Sequence, residues 1–232
     1  GEVVFGGTIP STALTGFSLS SITAVNVDGE ATANVNVITT VTTDVLLAAA
    51  DANEAIDLSS VSEENLDELQ TYSSEIAGDL IGIDLSKINV FDMKVVDATK
   101  YTADSVPNLI IDSLSVMNAS YAGLPLTGDE TMADSIAELT TNAKEMATVL
   151  LAPGFKDTDL STPTFIAANA ALTASLESAE VVRVDIEADL AQTNPAIEVE
   201  EIVTVPAVDE IVDVIEEANK AEPTGSTGSS SE

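Results

Sequence analysis

The sequence contains no cysteine and no histidine. Without cysteine the chain has no disulfides, no thiolate nucleophile and no cysteine-based zinc or iron–sulfur site. Without histidine it lacks the commonest general base and the commonest transition-metal ligand, and a Ser-His-Asp triad is excluded. Carboxylates, hydroxyls, three tyrosines and a few lysines remain as the chemical inventory. Catalysis by carboxylates therefore stays open, whereas thiolate and imidazole chemistry is excluded.

Positive charge and aromatic side chains are also scarce. Seven Lys and Arg residues stand against 40 Asp and Glu residues, which gives a net charge of -33. Nucleic-acid backbones and anionic membrane surfaces bind to basic patches, so neither is expected as a partner. Aromatic residues make up 3% of the chain and tryptophan is absent, which disfavours stacking of sugars or nucleobases. No apolar run approaches the roughly 20 residues that cross a bilayer, so membrane insertion is not expected.

The apolar content nevertheless predicts a folded protein. Hydrophobic residues make up 45% of the 232 residues, and the mean hydropathy is +0.25. A disordered acidic chain lacks apolar residues in this amount. The length allows one domain of ordinary size or two small ones.

Alternating apolar residues predict several strands. Between Phe17 and Val45 the alternation is interrupted by Asp28-Gly29, a pair typical of a tight hairpin turn. Further strands are predicted at 87–96, 109–116, 181–187 and 197–205.

Three- and four-residue apolar spacings predict helices. One helix begins with Ser62 as N-cap, and the others are predicted at 131–151, 163–179 and 208–218. Together with the strands, these helices predict an α+β fold with a β-rich, sandwich-like or antiparallel sheet core and several helical insertions. Residues 12–220 form one predicted domain, and residues 221–232 are a Ser/Gly-rich tail.

Candidate binding residues are acidic or form a glycosylation sequon. Clustered oxygens favour calcium, and the loops with Asp28 and Glu30 and with Asp157 and Asp159 are the candidate ligands. The alternative interpretation is a solvated acidic face, because 40 acids produce pairs by coincidence. Asn118-Ala119-Ser120 is a possible N-glycosylation site if the chain is secreted.

Residues 1–11 have the pattern of an assembly arm. A β-branched run is followed by two glycines and a proline, and its arm residues are Val3, Val4, Phe5, Thr8 and Ile9. In this segment the sequence resembles the donor arm of chaperone–usher-type and related donor-strand pilins. The resemblance implies insertion of the arm as a strand into a neighbouring subunit. The chain lacks the cysteine pair of that family, and an ordinary first strand of the same domain is the alternative.

These features predict a non-enzymatic, secreted structural subunit of a self-assembling surface filament or pilus-like polymer, joined by strand addition. Its partners are copies of itself, and its location is extracellular or at the cell surface after signal-peptide removal, since the chain starts at Gly1. An acidic, calcium-binding adhesin or virion surface protein is the alternative. A carboxylate enzyme is the least favoured of the three hypotheses.

Overall fold

The computed structural model is a bundle of α-helices. It describes residues 18–23, 33–52, 63–86, 88–93, 96, 109–122 and 132–193. Five α-helices follow in chain order: α1 (Val37–Ala52), α2 (Glu63–Ile81), α3 (Leu109–Ala122), α4 (Met132–Leu150) and α5 (Pro163–Thr193), with a 3-10 helix at Asp157–Ser161 before α5. None of the described residues belongs to a strand. The predicted β-rich α+β fold is therefore wrong for this part of the chain.

Helix α4 packs against all four other helices, α1 packs against α2, α3 and α4, and α5 packs against α3 and α4. Nearly every residue from Val37 to Leu46 is buried, including four threonines. The hydroxyl of Thr42 donates to the carbonyl of Ile38 (2.9 Å), so it does not need a partner from another element. The predicted return strand of the hairpin ends inside this helix. A helix that is buried on all sides can also have apolar residues at alternating positions, so the alternation did not distinguish it from a strand. Packing here overrides the β-propensity of Val and Thr.

The N-terminus of α1 is capped by two asparagines. Asn36 and Thr39 exchange hydrogen bonds between backbone N–H and side-chain oxygen, at 2.9 and 3.0 Å. Oδ1 of Asn118, on α3, accepts the N–H groups of Val37 (2.9 Å) and Ile38 (3.3 Å). The first N–H groups of a helix have no partner within the helix, and here side chains supply those partners.

Helix α3 occupies residues that were predicted as the strand 109–116. Its residues 112–117 are all buried, and a short continuous apolar run does not distinguish a buried strand from a buried helix. Tyr121 is fully buried, and its hydroxyl donates to the carbonyl of Ile81 at the end of α2 (3.0 Å).

Helix α2 ends just before Gly82, and the described residues of the predicted strand 87–96, which are 88–93 and 96, form turns and irregular chain instead. Gly82 has φ 77°, and the N–H of Ile83 donates to the carbonyl of Gly78 (2.9 Å). Gly78 also allows the close return of the chain, because a Cβ there would lie 2.5 Å from the Ile83 carbonyl oxygen. Within 88–93 the chain turns and packs on α2, where the N–H of Val90 donates to the Ser74 hydroxyl (3.2 Å).

Three predicted helices are confirmed in position. The segment predicted to start after Ser62 is α2, the segment 131–151 is α4, and the segment predicted from 163 is the first part of α5. The predicted strand 181–187 is wrong, because α5 continues without interruption to Thr193. The predicted turn Asp28-Gly29, the strand 197–205, the helix 208–218, the arm 1–11 and the tail 221–232 lie outside the described residues.

Candidate functional site

Helix α5 is the longest helix in the described part of the chain, and one of its faces is buried in the bundle. It has 31 residues, which corresponds to about 47 Å. The buried positions recur at helical spacing and are Phe165, Ala168, Leu172, Ser175, Leu176, Ala179, Arg183 and Leu190. This inner face joins the hydrophobic core through α3 and α4.

A second, mostly apolar stripe runs along the side of α5 that faces away from the core, and its residues are exposed except for the half-buried Thr173. We define this outer stripe as Ile166, Ala170, Thr173, Glu177, Val181, Val184 and Ala188. At 100° per residue these positions fall within about 80° of one another. Three of them are the large aliphatic residues Ile166, Val181 and Val184, which are 55%, 61% and 48% exposed.

The outer stripe is unusual for an exposed helix face. The solvent side of a surface helix normally carries polar and charged residues, whereas the outer stripe contains a single charged residue, Glu177. The outer stripe therefore exposes more aliphatic surface than the solvent side of a helix usually does.

Charge is distributed unevenly along α5. Residues 163–176 contain no charged side chain, whereas residues 177–193 contain five acids and one arginine. The two halves of the helix thus present very different electrostatic surfaces to a partner.

Arg183 is the only arginine of the chain, and it is 4% exposed. Its Nε and Nη2 donate to the two carboxylate oxygens of Glu180 (2.7 Å each), and Nη1 donates to Glu187 (2.6 Å). The hydrogen bonds with Glu180 raise the pKa of the guanidinium, against an opposing effect of burial. Because these partners lie three residues before and four residues after Arg183, the cluster requires a helix here. The cluster supports helical structure over 181–187, where the apolar pattern alternates.

The sequence-predicted calcium ligands are placed only in part. Asp159 lies in the 3-10 helix, and its Oδ2 accepts the backbone N–H of Lys156 (2.9 Å), which stabilises the local turn. Asp157 contributes backbone to the same turn, while Asp28 and Glu30 lie outside the described residues. In the ranges that the structure describes, no group of three or more acidic side chains is arranged to hold a metal ion. Calcium binding at these residues stays a prediction.

The sequon residue Asn118 lies within α3 and has a structural role. Its Oδ1 caps α1, and its Nδ2 donates to the carbonyl of Leu114 (2.7 Å). A glycan attached at Nδ2 would have to be accommodated beside the N-terminus of α1. Glycosylation at Asn118 stays a prediction, and the hydrogen bonds assign the side chain to helix capping.

Comparison with known proteins gives no relative. No family model, no curated protein and no solved structure matches this chain. Among the described helices, none is long and apolar enough to cross a membrane.

Sequence reasoning missed the outer stripe, although its residues are visible in the sequence. The predicted helix ended at Ala179, so the apolar residues on either side of that point were assigned to different elements. Continuation of the three- and four-residue spacing from Ile166 to Ala188 is the signal that identifies the stripe.

Proposed function

We propose that this protein is a secreted, non-enzymatic structural subunit that assembles with copies of itself into a surface filament or pilus-like polymer. The observation that carries the proposal is the outer stripe of α5, which exposes Ile166, Val181 and Val184 on one face of a helix. Large exposed apolar patches on folded domains mark sites of association, and we propose that this row of aliphatic side chains forms one.

The polar side chains of the bundle support a structural role. Asn118 caps α1, Tyr121 bonds to the last turn of α2, and Arg183 is held by two glutamates. Asn118 and Tyr121 join neighbouring helices, and Arg183 with its two glutamates stabilises α5 itself. A bundle with these contacts is a suitable building block for an assembly.

We propose that two copies associate at α5 through contact between helix faces and not through strand addition. A donor strand requires a sheet edge, and the bundle of described helices presents none. A filament needs a second contact, and we assign it to the arm residues 1–11.

Negative-stain electron microscopy of the full chain tests the proposal. We expect regular filaments in moderate or high salt, and we expect deletion of residues 1–10 to shorten or abolish them. Val181→Glu/Val184→Glu places two charges on the outer stripe and abolishes the filaments. The matched control, Thr141→Glu/Thr148→Glu, adds the same charges at exposed positions of α4 and leaves the filaments intact. Monodisperse particles of the unaltered chain at every salt concentration would contradict the proposal.

A further inference from the structure

The only N-glycosylation sequon of the sequence, Asn118-Ala119-Ser120, lies within helix α3. Ala119 is exposed, Asn118 is half-buried and Ser120 is fully buried. The hydroxyl of Ser120 donates to the carbonyl of Val116 (2.8 Å). The hydroxyl that completes the sequon is therefore inaccessible to an enzyme as long as α3 is packed in the bundle.

The side-chain amide of Asn118 is held at both of its polar atoms. Oδ1 accepts the N–H groups of Val37 (2.9 Å) and Ile38 (3.3 Å), and Nδ2 donates to the carbonyl of Leu114 (2.7 Å). A rotation of the amide by 180° would turn its NH₂ group toward the two N–H donors of α1 and lose both hydrogen bonds. The amide thus has one orientation that satisfies α1 and α3 together.

A glycan on this amide would lie against the N-terminus of α1. Transfer forms a bond between Nδ2 and the anomeric carbon of a sugar, breaks the bond from that carbon to the diphosphate of a lipid-linked donor, and releases one Nδ2 proton. The product is a secondary amide, for which the trans form is strongly favoured. In the trans form the sugar carbon lies on the same side as Oδ1, about 2.8 Å from it. The sugar and the first turn of α1 therefore compete for the space beside Oδ1.

We propose that Asn118 either caps α1 or carries a glycan, and that the two states exclude each other. Before folding, the Asn118 amide and the Ser120 hydroxyl are free to be used by a glycosyltransferase. After folding, both groups are hydrogen-bonded within the bundle. A chain that is glycosylated before it folds cannot place the N-terminus of α1 on α3. The inference concerns chains that enter a glycosylating secretory compartment, and it does not depend on the proposed self-assembly.

Expression of the full chain with a signal peptide in a glycosylating eukaryotic host tests the inference. The matched control is Ser120→Ala/Glu138→Asn, which removes the native sequon and creates one at 138–140 on α4. Glu138 is exposed. The hydroxyl of Thr140 donates to the carbonyl of Ile136 (2.8 Å), so both sequons lie in a helix and both hydroxyls bond four residues back. The two chains differ in whether the sequon asparagine caps another helix.

Limited proteolysis of the secreted chains, with and without glycan, provides the readout. We expect the glycosylated control to be cleaved within about twofold of the rate of its unglycosylated form, because its sugar points away from the bundle. The glycosylated unaltered chain should be cleaved at least about tenfold faster than its unglycosylated form, or be absent from the secreted protein while the control is glycosylated.

Release of the glycan separates loss of the cap from unrelated misfolding. An amidase that removes N-glycans hydrolyses the side-chain amide and leaves a carboxylate at position 118, which again offers an acceptor to α1. We expect this treatment to restore most of the resistance of the unaltered chain. A glycosylated unaltered chain as resistant as its unglycosylated form would overturn the inference. Sensitivity that persists after release would also overturn it, because the glycan would then not be the cause.

Discussion

Individual polar side chains in this bundle serve mainly to end helices and to join them. Asn118 illustrates the limit of prediction at this scale. The sequence marks it as a sequon, but its hydrogen bond to Val37 spans 81 residues of chain. Local sequence contains no signal for a cap supplied from another helix. The absence of cysteine and histidine excludes thiolate and imidazole chemistry in any fold, so these exclusions hold for the helical structure too.

Loss of the Asn118 side chain should destabilise the fold. Asn118→Ala leaves the N–H groups of Val37 and Ile38 without their acceptor, and we expect a loss of about 2 kcal/mol in the free energy of unfolding. Asn118→Asp keeps an acceptor and adds negative charge at the N-terminus of α1, so its loss should be smaller. Urea unfolding followed by circular dichroism measures both variants. An equal loss in the two would show that capping is not the role of this side chain.

Thr43 offers a substitution that should stabilise the protein. Its Oγ1 is buried and has no hydrogen-bond partner among the described residues, whereas Thr42 donates to the Ile38 carbonyl. Thr43→Val removes a buried polar group without a large change of shape, and we expect a gain of about 1 kcal/mol. Thr42→Val is the matched control and should give a smaller gain or a loss. Thermal unfolding of the two variants distinguishes them, and a destabilised Thr43→Val would contradict the assignment.

At the scale of elements, the helices with one polar and one apolar face were predictable and the others were not. Helix α4 alternates buried and exposed positions at helical spacing, and its predicted range agrees with the structure within one residue at each end. Helices α1 and α3 are buried over most of their described length, so their sequences show no single apolar face. The second half of α5 has apolar residues on two faces, and this arrangement resembles the alternation of a strand. Strand predictions were wrong in those places because tertiary packing decided between the two structures.

Tyr121 links α2 to α3 and should make this junction sensitive to alkaline pH. Burial, and secondly the negative charge of Glu180, raise the pKa of Tyr121 well above its ordinary value of 10.0. Above about pH 10 the tyrosine ionises in the unfolded chain and stays protonated in the folded one. The unfolded state then binds fewer protons, so stability is complete below pH 10 and falls as pH rises further.

The Tyr121→Phe variant measures this contribution. At pH 7 we expect it to lose about 1 kcal/mol, because the Ile81 carbonyl loses a hydrogen bond. Between pH 10 and 11.5 its stability should fall less steeply than that of the unaltered chain. Urea-unfolding midpoints across this range provide the comparison. An equally steep fall in Tyr121→Phe would assign the alkaline sensitivity to other groups.

At the scale of the whole molecule, charge and apolar surface act in opposite directions. A net charge of -33 makes two copies repel, while the outer stripe of α5 favours their contact. Salt screens the repulsion between solvent-exposed charges and has little effect on apolar contact. Association should therefore strengthen as ionic strength rises. The charge could be predicted from the sequence. The surface proposed for contact between copies could be identified only from the way α5 packs in the bundle.

Sedimentation equilibrium of the unaltered full chain at low and high salt tests the central claim most directly. The account predicts a mass near 23.9 kDa at low salt and low concentration, and a shift to dimers and larger assemblies as salt or concentration increases. Val181→Glu/Val184→Glu should remain at the monomer mass under the same conditions. A monomer mass for the unaltered chain at every salt and protein concentration would contradict self-association through α5.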